Sequence, residues 1–119
     1  MKYLRIFALE YRDLIMIIEY EKDYLRELYE QGNCRSKKYR YDKSVVKKYQ
    51  KRIDTLMAAT RLEDLFVFNS LNFESLEGLS NAYSIRIDVH YRLMFRLRME
   101  GNEPMITICT VTDITNHYQ

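Results

Sequence analysis

The sequence predicts an α+β domain in which an N-terminal strand and two helices pack on an antiparallel β-sheet. Three observations carry this. Residues 83–97, Tyr-Ser-Ile-Arg-Ile-Asp-Val-His-Tyr-Arg-Leu-Met-Phe-Arg-Leu, hold two runs of alternating apolar and polar side chains joined by a break at Asp88-Val89-His90. A period of two is the signature of half-buried strands, so this is a hairpin. Residues 23–31 and 42–59 instead repeat apolar side chains every three or four positions, as a helix does. Residues 105–112, rich in Ile, Thr and Val, supply the last strand. The resulting order is strand, two helices, a loop and three strands, which suits helices laid on an antiparallel sheet.

Taken in order, Leu4, Phe7, Ala8, Tyr11, Leu14 and Ile15 fit a helical stripe better than a strand. Met16-Ile-Ile-Glu-Tyr-Glu follows, with β-branched neighbours and then an alternation, and reads as the first strand. Asp23 is placed to cap a helix that ends at Gln31, with Gly32 as its left-handed stop. A loop of Arg, Lys and Tyr runs to Tyr41, and Asp42 then caps the longest helix, whose inward stripe is Val45, Tyr49, Ile53, Leu56 and Met57. Arg61 to Phe66 adds a further turn or two, and Phe68 to Ala82 reads as a loop with one turn at Phe73–Leu76. In the hairpin, Tyr83, Ile85, Ile87, Tyr91, Leu93, Phe95 and Leu97 form a core wall, leaving Arg86, Arg92, Arg96 and Arg98 on a solvated face.

A chain of 119 residues supports one hydrophobic core, hence one domain, and its charge content fits a folded protein. The net charge of +2 does not by itself imply nucleic-acid binding. Its distribution is uneven: nine Lys/Arg lie between Arg35 and Arg52 against the single acid Asp42. Such a run is most often a solvated helix face and otherwise a patch for phosphate or an acidic partner. The two cysteines, Cys34 and Cys109, and two histidines make neither a disulfide framework nor a zinc box, so free thiols, no metal and no cofactor are expected. Residues 1–15 are interrupted by Arg5, Glu10, Arg12 and Asp13 and cannot span a bilayer, which makes the cytoplasm the expected compartment.

Strand arginines are the first chemical candidates, because a guanidinium fork matches phosphate oxygens and a strand holds it rigidly. By composition alone they are more often solubilising, paired here with Asp88, Glu100 and Glu103. His117 and Tyr118 form a second candidate pair able to move a proton, against the commoner case of a frayed terminus. His90 suits the hairpin turn better than catalysis. Glu74 and Glu77 offer a carboxylate base but are equally ordinary loop acids. Gly-rich phosphate loops, nucleophile elbows and metal boxes are absent from the sequence.

Leu76-Glu-Gly, Tyr83-Ser-Ile-Arg-Ile, Tyr91-Arg-Leu-Met-Phe and Val111-Thr-Asp-Ile-Thr-Asn-His-Tyr together resemble the plasmid-maintenance killer proteins of HigB type, in the RelE/ParE toxin superfamily. The likeness runs from about Met16 to the end and is strongest from Leu71. It implies a RelE-like fold, a helix-turn-helix antitoxin of HigA type as partner, and cleavage of mRNA on the ribosome without a metal. In that chemistry the ribose 2′-hydroxyl attacks the adjacent phosphorus while an acid and a base manage the protons and cations stabilise the phosphate. The resemblance assigns Arg92 to phosphate stabilisation and the tail to proton transfer. Where the family commonly reads Asp-Tyr-His, this chain has Asn116-His117-Tyr118, exchanging aromatic and imidazole. Where the family often has a His and a Lys, it has Glu74 and Glu77, which weakens attraction for RNA but supplies a carboxylate.

The resemblance therefore proposes Arg92, His117, Tyr118 and Glu74 as catalytic, and Arg86, Arg96, Arg98, Lys47, Lys48 and Lys51 as RNA-binding. Family members begin at the first strand, so residues 1–15 are expected to be an extension or an upstream start, with the toxin domain spanning 16–119. Two rivals share the fold: a ParE-like toxin that binds DNA gyrase without nuclease activity, and an inactive toxin-fold binding module.

Overall fold

The computed structural model describes residues 14–59, 64–65, 69–101 and 105–116. Strand β1 (Leu14–Tyr20) leads into helices α1 (Asp23–Gln31) and α2 (Lys43–Ala58), then β2 (Glu74–Ser75), β3 (Ala82–Arg86), β4 (Arg92–Glu100) and β5 (Met105–Thr115). The five strands form one sheet in the order β1-β5-β4-β3-β2.

The helices stand close to their expected limits. Gly32 takes the left-handed conformation (φ 80°) and its N–H donates to the Leu28 carbonyl, closing α1 as a glycine stop does. Asp23 is the first helical residue and not the cap; Lys22 occupies that position and makes no capping side-chain bond. Asp42 does precede α2, also without a side-chain cap bond. In the inward stripe of α2, Val46 is buried where Met57 was expected, and Met57 is 43% exposed. Tyr49 is fully buried, and its hydroxyl donates to the Leu25 carbonyl at 2.7 Å, locking α2 on α1. Gln50 Nε2 donates to the carbonyls of Leu28 and Tyr29, satisfying the last turn of α1. The helical layer closes over Ile85, Leu93, Phe95 and Val111, all at most 1% exposed.

The sheet differs from the expected antiparallel one in two places. β1 pairs parallel with β5, in register from Leu14↔Met105 to Tyr20↔Val111. The two helices carry the chain across one face from β1 at one edge to β2 at the other, and β3 and β4 bring it back so that β5 lies beside β1, a connection long enough for parallel neighbours. β1 begins at Leu14, two residues ahead of the expected start at Met16. The second difference is β2, which replaces the turn expected at Phe73–Leu76 and pairs Glu74↔Ser84 and Ser75↔Tyr83. Two residues are too few to show a period, so no alternation betrays it. The hairpin itself follows the sequence. Asp88 Oδ1 accepts from the N–H groups of His90 and Tyr91, which makes His90 an exposed turn residue. β5 runs three residues beyond its expected end and bulges at Thr112, between the Phe95↔Val111 and Met94↔Asp113 pairs. The turn expected over Arg61–Phe66 lies mostly outside the described residues, as does the helical stripe expected near the N-terminus.

Candidate functional site: a buried arginine on the central strand

Arg92 opens β4, opposite Arg86 in β3 and Thr115 in β5. The expectation of a solvated guanidinium fails here: Arg92 is 0% exposed. Its side chain crosses β3 toward the β2 edge. Nε donates to Ser84 Oγ at 2.9 Å, and Nη2 donates to the Asn72 carbonyl at 2.5 Å and to the Ser84 carbonyl at 3.3 Å. The Glu74 carboxylate, half exposed, stands 3.6 Å from Nη2. A buried guanidinium is tolerable only with its donors met and a counter-charge at hand, and this segment provides both.

Asn72 presents its carbonyl from a left-handed backbone (φ 46°), which asparagine accepts more readily than most residues. Phe73 anchors the same segment on the other side of the sheet, its ring 5.1 Å from that of Tyr83 and 6.3 Å from that of Phe95. Ser84 and Asn72 were not singled out in the sequence. Ser84 reads there as a spacer in an alternation, and a main-chain carbonyl leaves no sequence signal.

The other candidates are dispersed. Arg86 is half buried, and its carbonyl accepts from Arg52 Nε at 2.6 Å; burial, with Arg86 nearby, pushes the Arg52 guanidinium down from the usual arginine range. Arg96 pairs with Glu21 at 2.8 Å and Arg98 with Glu100 at 2.9 Å, all four exposed. Lys47, Lys48 and Lys51 lie exposed on α2. Because α2 packs on the face that carries Leu93 and Phe95, and Arg92 alternates with those residues, the lysines and Arg92 belong to opposite layers. Glu77 sits exposed in the turn after β2. His117 and Tyr118 lie outside the described residues. The structure thus brings together Arg92 and Glu74 and keeps the α2 lysines away from them.

Asp113 accepts a 2.7 Å hydrogen bond from the Tyr24 hydroxyl and another from the Ile114 N–H. Burial first, and then Asp113, pushes the Tyr24 phenol far above the usual tyrosine range. Tyr39 stacks on Tyr24 with centroids 3.8 Å apart, so these rings consolidate the helical layer. A shallow cleft of about 280 Å³ lies along the middle of β4, lined in part by Glu21, Leu76, Met94, Arg96, Asp113 and Thr115 and by neither Arg92 nor Glu74. Larger cavities, of 420 Å³ beside Cys34, Tyr39 and Arg40 and of 460 Å³ between the end of α2 and Leu71, hold none of the proposed catalytic side chains. Cys109 is buried, which pushes its thiol up to about 12, and Cys34 is half buried; both are free. Among the described residues no three His, Cys, Asp or Glu side chains converge as a metal would require.

Two helices on one face of a mixed five-stranded sheet define a small α+β domain, and a solved structure shares that fold. The YoeB/ParE toxin from Agrobacterium tumefaciens superposes with a TM-score of 0.52 at 18% identity, over 87% of this chain and all of that one. The YoeB dimer from Staphylococcus aureus gives 0.48 at 19% identity, over 87% of this chain and 99% of that one. At such identity the first likeness speaks for the fold alone. No curated protein matches the chain significantly in sequence. The family model for HigB-like toxins, RelE-like toxins of type II toxin–antitoxin systems, matches residues 18–107. The chain belongs to that family, and membership implies an antitoxin partner. The matched stretch includes Glu74 and Arg92 and stops before the C-terminal tail. No helix among the described residues is long and apolar enough to cross a membrane.

Proposed function

We propose that this toxin is a ribosome-dependent mRNA endonuclease, acting in the cytoplasm and held in check by a HigA-like helix-turn-helix antitoxin. The observation that carries the reading is the placement of a guanidinium and a half-exposed carboxylate 3.6 Å apart at one end of the sheet. In the proposed reaction the 2′-oxygen forms a bond to the adjacent phosphorus as the bond from phosphorus to the 5′-oxygen breaks, leaving a 2′,3′-cyclic phosphate. Glu74 takes the proton from the 2′-hydroxyl, and the tail acid, His117 or Tyr118, gives one to the departing 5′-oxygen. Arg92 stabilises the charge gathering on the non-bridging oxygens, a role for a rigid cation in a site screened from water. The tail is supported in this role by chain connectivity: β5 ends at Thr115, paired with Arg92, two residues before His117. Arg96 and Arg98, with Arg86, guide the RNA along the strands, and the α2 lysines offer a separate surface to ribosomal RNA.

One observation favours a second reading. Arg92 is fully enclosed, and its donors already serve Ser84 and Asn72, as would suit a structural staple in a toxin that inhibits by binding alone, on gyrase or elsewhere. Controlled expression separates the two. The nuclease reading expects arrested translation with new message ends mapped within ribosome-bound codons, and relief of arrest by His117→Phe with Tyr118→Phe. Translation at its normal rate, or arrest that survives that double replacement with intact message, would refute it.

A further inference from the structure

Arg92 is the cation of the proposed site, yet no incoming phosphate can touch a guanidinium that is 0% exposed. Something must move, and the segment beside it holds the shortest of the five strands. β2 is a two-residue edge strand, joined to the sheet by the Glu74↔Ser84 and Ser75↔Tyr83 pairs and, just beyond, by the Leu76 N–H donating to the Ala82 carbonyl at 2.8 Å. It lies between Asn72 (φ 46°) and the turn holding Gly78 (φ 80°) and Asn81 (φ 58°), positions where the backbone changes direction. Short edge ladders of this kind belong to the low-stability end of a fold.

Glu74 stands on this segment, half exposed, with Oε1 3.6 Å from Arg92 Nη2. That separation is within ion-pair reach and beyond a hydrogen bond, so the carboxylate balances the charge of Arg92 while the nearer oxygens of Asn72 and Ser84 meet its donors. A carboxylate placed in this way occupies ground that a phosphate oxygen would need. We propose that Glu74 is an internal anion that holds the site closed, and that β2 is a gate which RNA opens by exchanging its phosphate for the Glu74 carboxylate on Arg92. The inference rests on the nuclease reading for the identity of the ligand, but the closure belongs to the fold.

In this scheme one side chain does two things in sequence. Closed, Glu74 competes with RNA; displaced by the phosphate, it is left beside the 2′-hydroxyl whose proton it takes. Affinity and turnover therefore respond to its replacement in opposite directions, which a purely structural or purely catalytic Glu74 would not do.

The test compares wild-type protein with Glu74→Gln, which keeps the shape and loses the charge. Binding is measured to an oligoribonucleotide 2′-O-methylated throughout, which retains every phosphate and cannot be cut, and hydrogen exchange is followed at the Leu76 amide with the Ile87 amide as an internal control. A half-exposed ion pair of modest strength predicts about three- to tenfold tighter RNA binding in the variant and a similar acceleration of exchange at Leu76, with Ile87 unchanged. On cleavable RNA, KM falls while kcat also falls. If wild-type protein binds the RNA and the variant binds equally or less tightly, the gate is wrong. If neither binds RNA but Leu76 exchange accelerates, the closure stands and the nuclease reading is what fails. If neither binds and Leu76 exchange is unchanged, the gate is wrong as well.

Discussion

Arg92 and the pair Arg96 and Arg98 lie on one strand, on one face and in one alternation, yet they inhabit different environments. Arg92 is enclosed and reaches Ser84, Asn72 and Glu74; Arg96 and Arg98 remain 52% and 58% exposed by side chain and pair with Glu21 and Glu100. The β5 bulge at Thr112 falls between them. At the Arg92 end, β3 and β2 extend the sheet and the Asn72–Glu74 segment meets the guanidinium, whereas Arg98 is opposite Ile108 beyond the end of β3. Alternation decides which side of a sheet a residue faces, and neighbouring segments decide how deeply it is enclosed.

The largest effect expected from breaking this contrast comes from Arg92→Ala. It removes the donors that this side chain offers to Ser84 Oγ and the Asn72 carbonyl, and it opens space where a long side chain lay. Loss of such a buried hydrogen-bonded cation should cost about 2–4 kcal/mol, read by chemical denaturation. On the nuclease reading, growth arrest is also lost. Arg92→Lys sharpens the result, since it keeps the charge but cannot serve Ser84 and Asn72 together as the guanidinium does. Stability unchanged within error in Arg92→Ala would show that the enclosure is not energetically meaningful.

Ser84→Ala should come next. Ser84 is itself fully buried, and its hydroxyl accepts from Arg92 Nε, so the change takes the acceptor from a charged donor at about 1–3 kcal/mol. A double-mutant cycle with Arg92→Ala isolates the coupling, and a coupling near zero would break the claimed hydrogen bond.

How far each half of the contrast could be read from sequence follows from the range of the interactions involved. The alternation of Tyr83 to Leu97, the turn at Asp88 and the stop at Gly32 depend on near neighbours in the chain, and the structure has them where the sequence puts them. The direction of β1 against β5 depends on the path of the whole chain, which no local period encodes. The burial of Arg92 depends on Asn72 and Glu74, brought to it by a strand only two residues long. Family resemblance did draw attention to Glu74 and Arg92 together, as two separate motifs; it gave no hint that one would lie against the other. Met57 shows the opposite error, a correct helical spacing at the margin of a buried stripe.

A counterpart with the signs reversed joins the middle of α1 to the loop that follows it. Glu27 is buried, while its partner Arg35 is 86% exposed by side chain and reaches it through its N–H at 3.1 Å and its guanidinium at 3.0 Å. The Arg35 backbone N–H first, and its side chain second, hold the Glu27 carboxyl below the usual carboxylate range. A depressed folded-state value means that the unfolded chain takes up the proton first. The stabilisation is therefore fully present above the ordinary glutamate pKa, about 4.3, and is lost as pH falls through the folded value. Glu27→Gln should flatten the acid limb of a stability–pH curve while leaving its neutral-to-basic shape alone. An unaltered acid limb would show that Glu27 titrates alike in both states.

The smallest expected change closes the comparison. Arg96→Ala and Arg98→Ala each remove an exposed guanidinium from an exposed carboxylate, and water competes effectively for both partners. Each should shift stability by no more than about 0.5 kcal/mol, and the two should add, since surface pairs of this kind contribute little and fall further with salt. The same replacements should nevertheless lower the salt dependence of binding to the 2′-O-methylated RNA. Each phosphate left without its guanidinium reduces the slope of log affinity against log salt by about 0.7 for a single strand. Arg92→Ala should show the reverse balance, a large loss of stability and, at a single position, a slope change no greater than one phosphate accounts for. If Arg96→Ala and Arg98→Ala destabilise the protein as much as Arg92→Ala does, the division of β4 into an enclosed end and an open end is wrong. If they leave the salt slope untouched, the open end of the strand has no part in holding RNA, and the enclosed arginine would have to act without it.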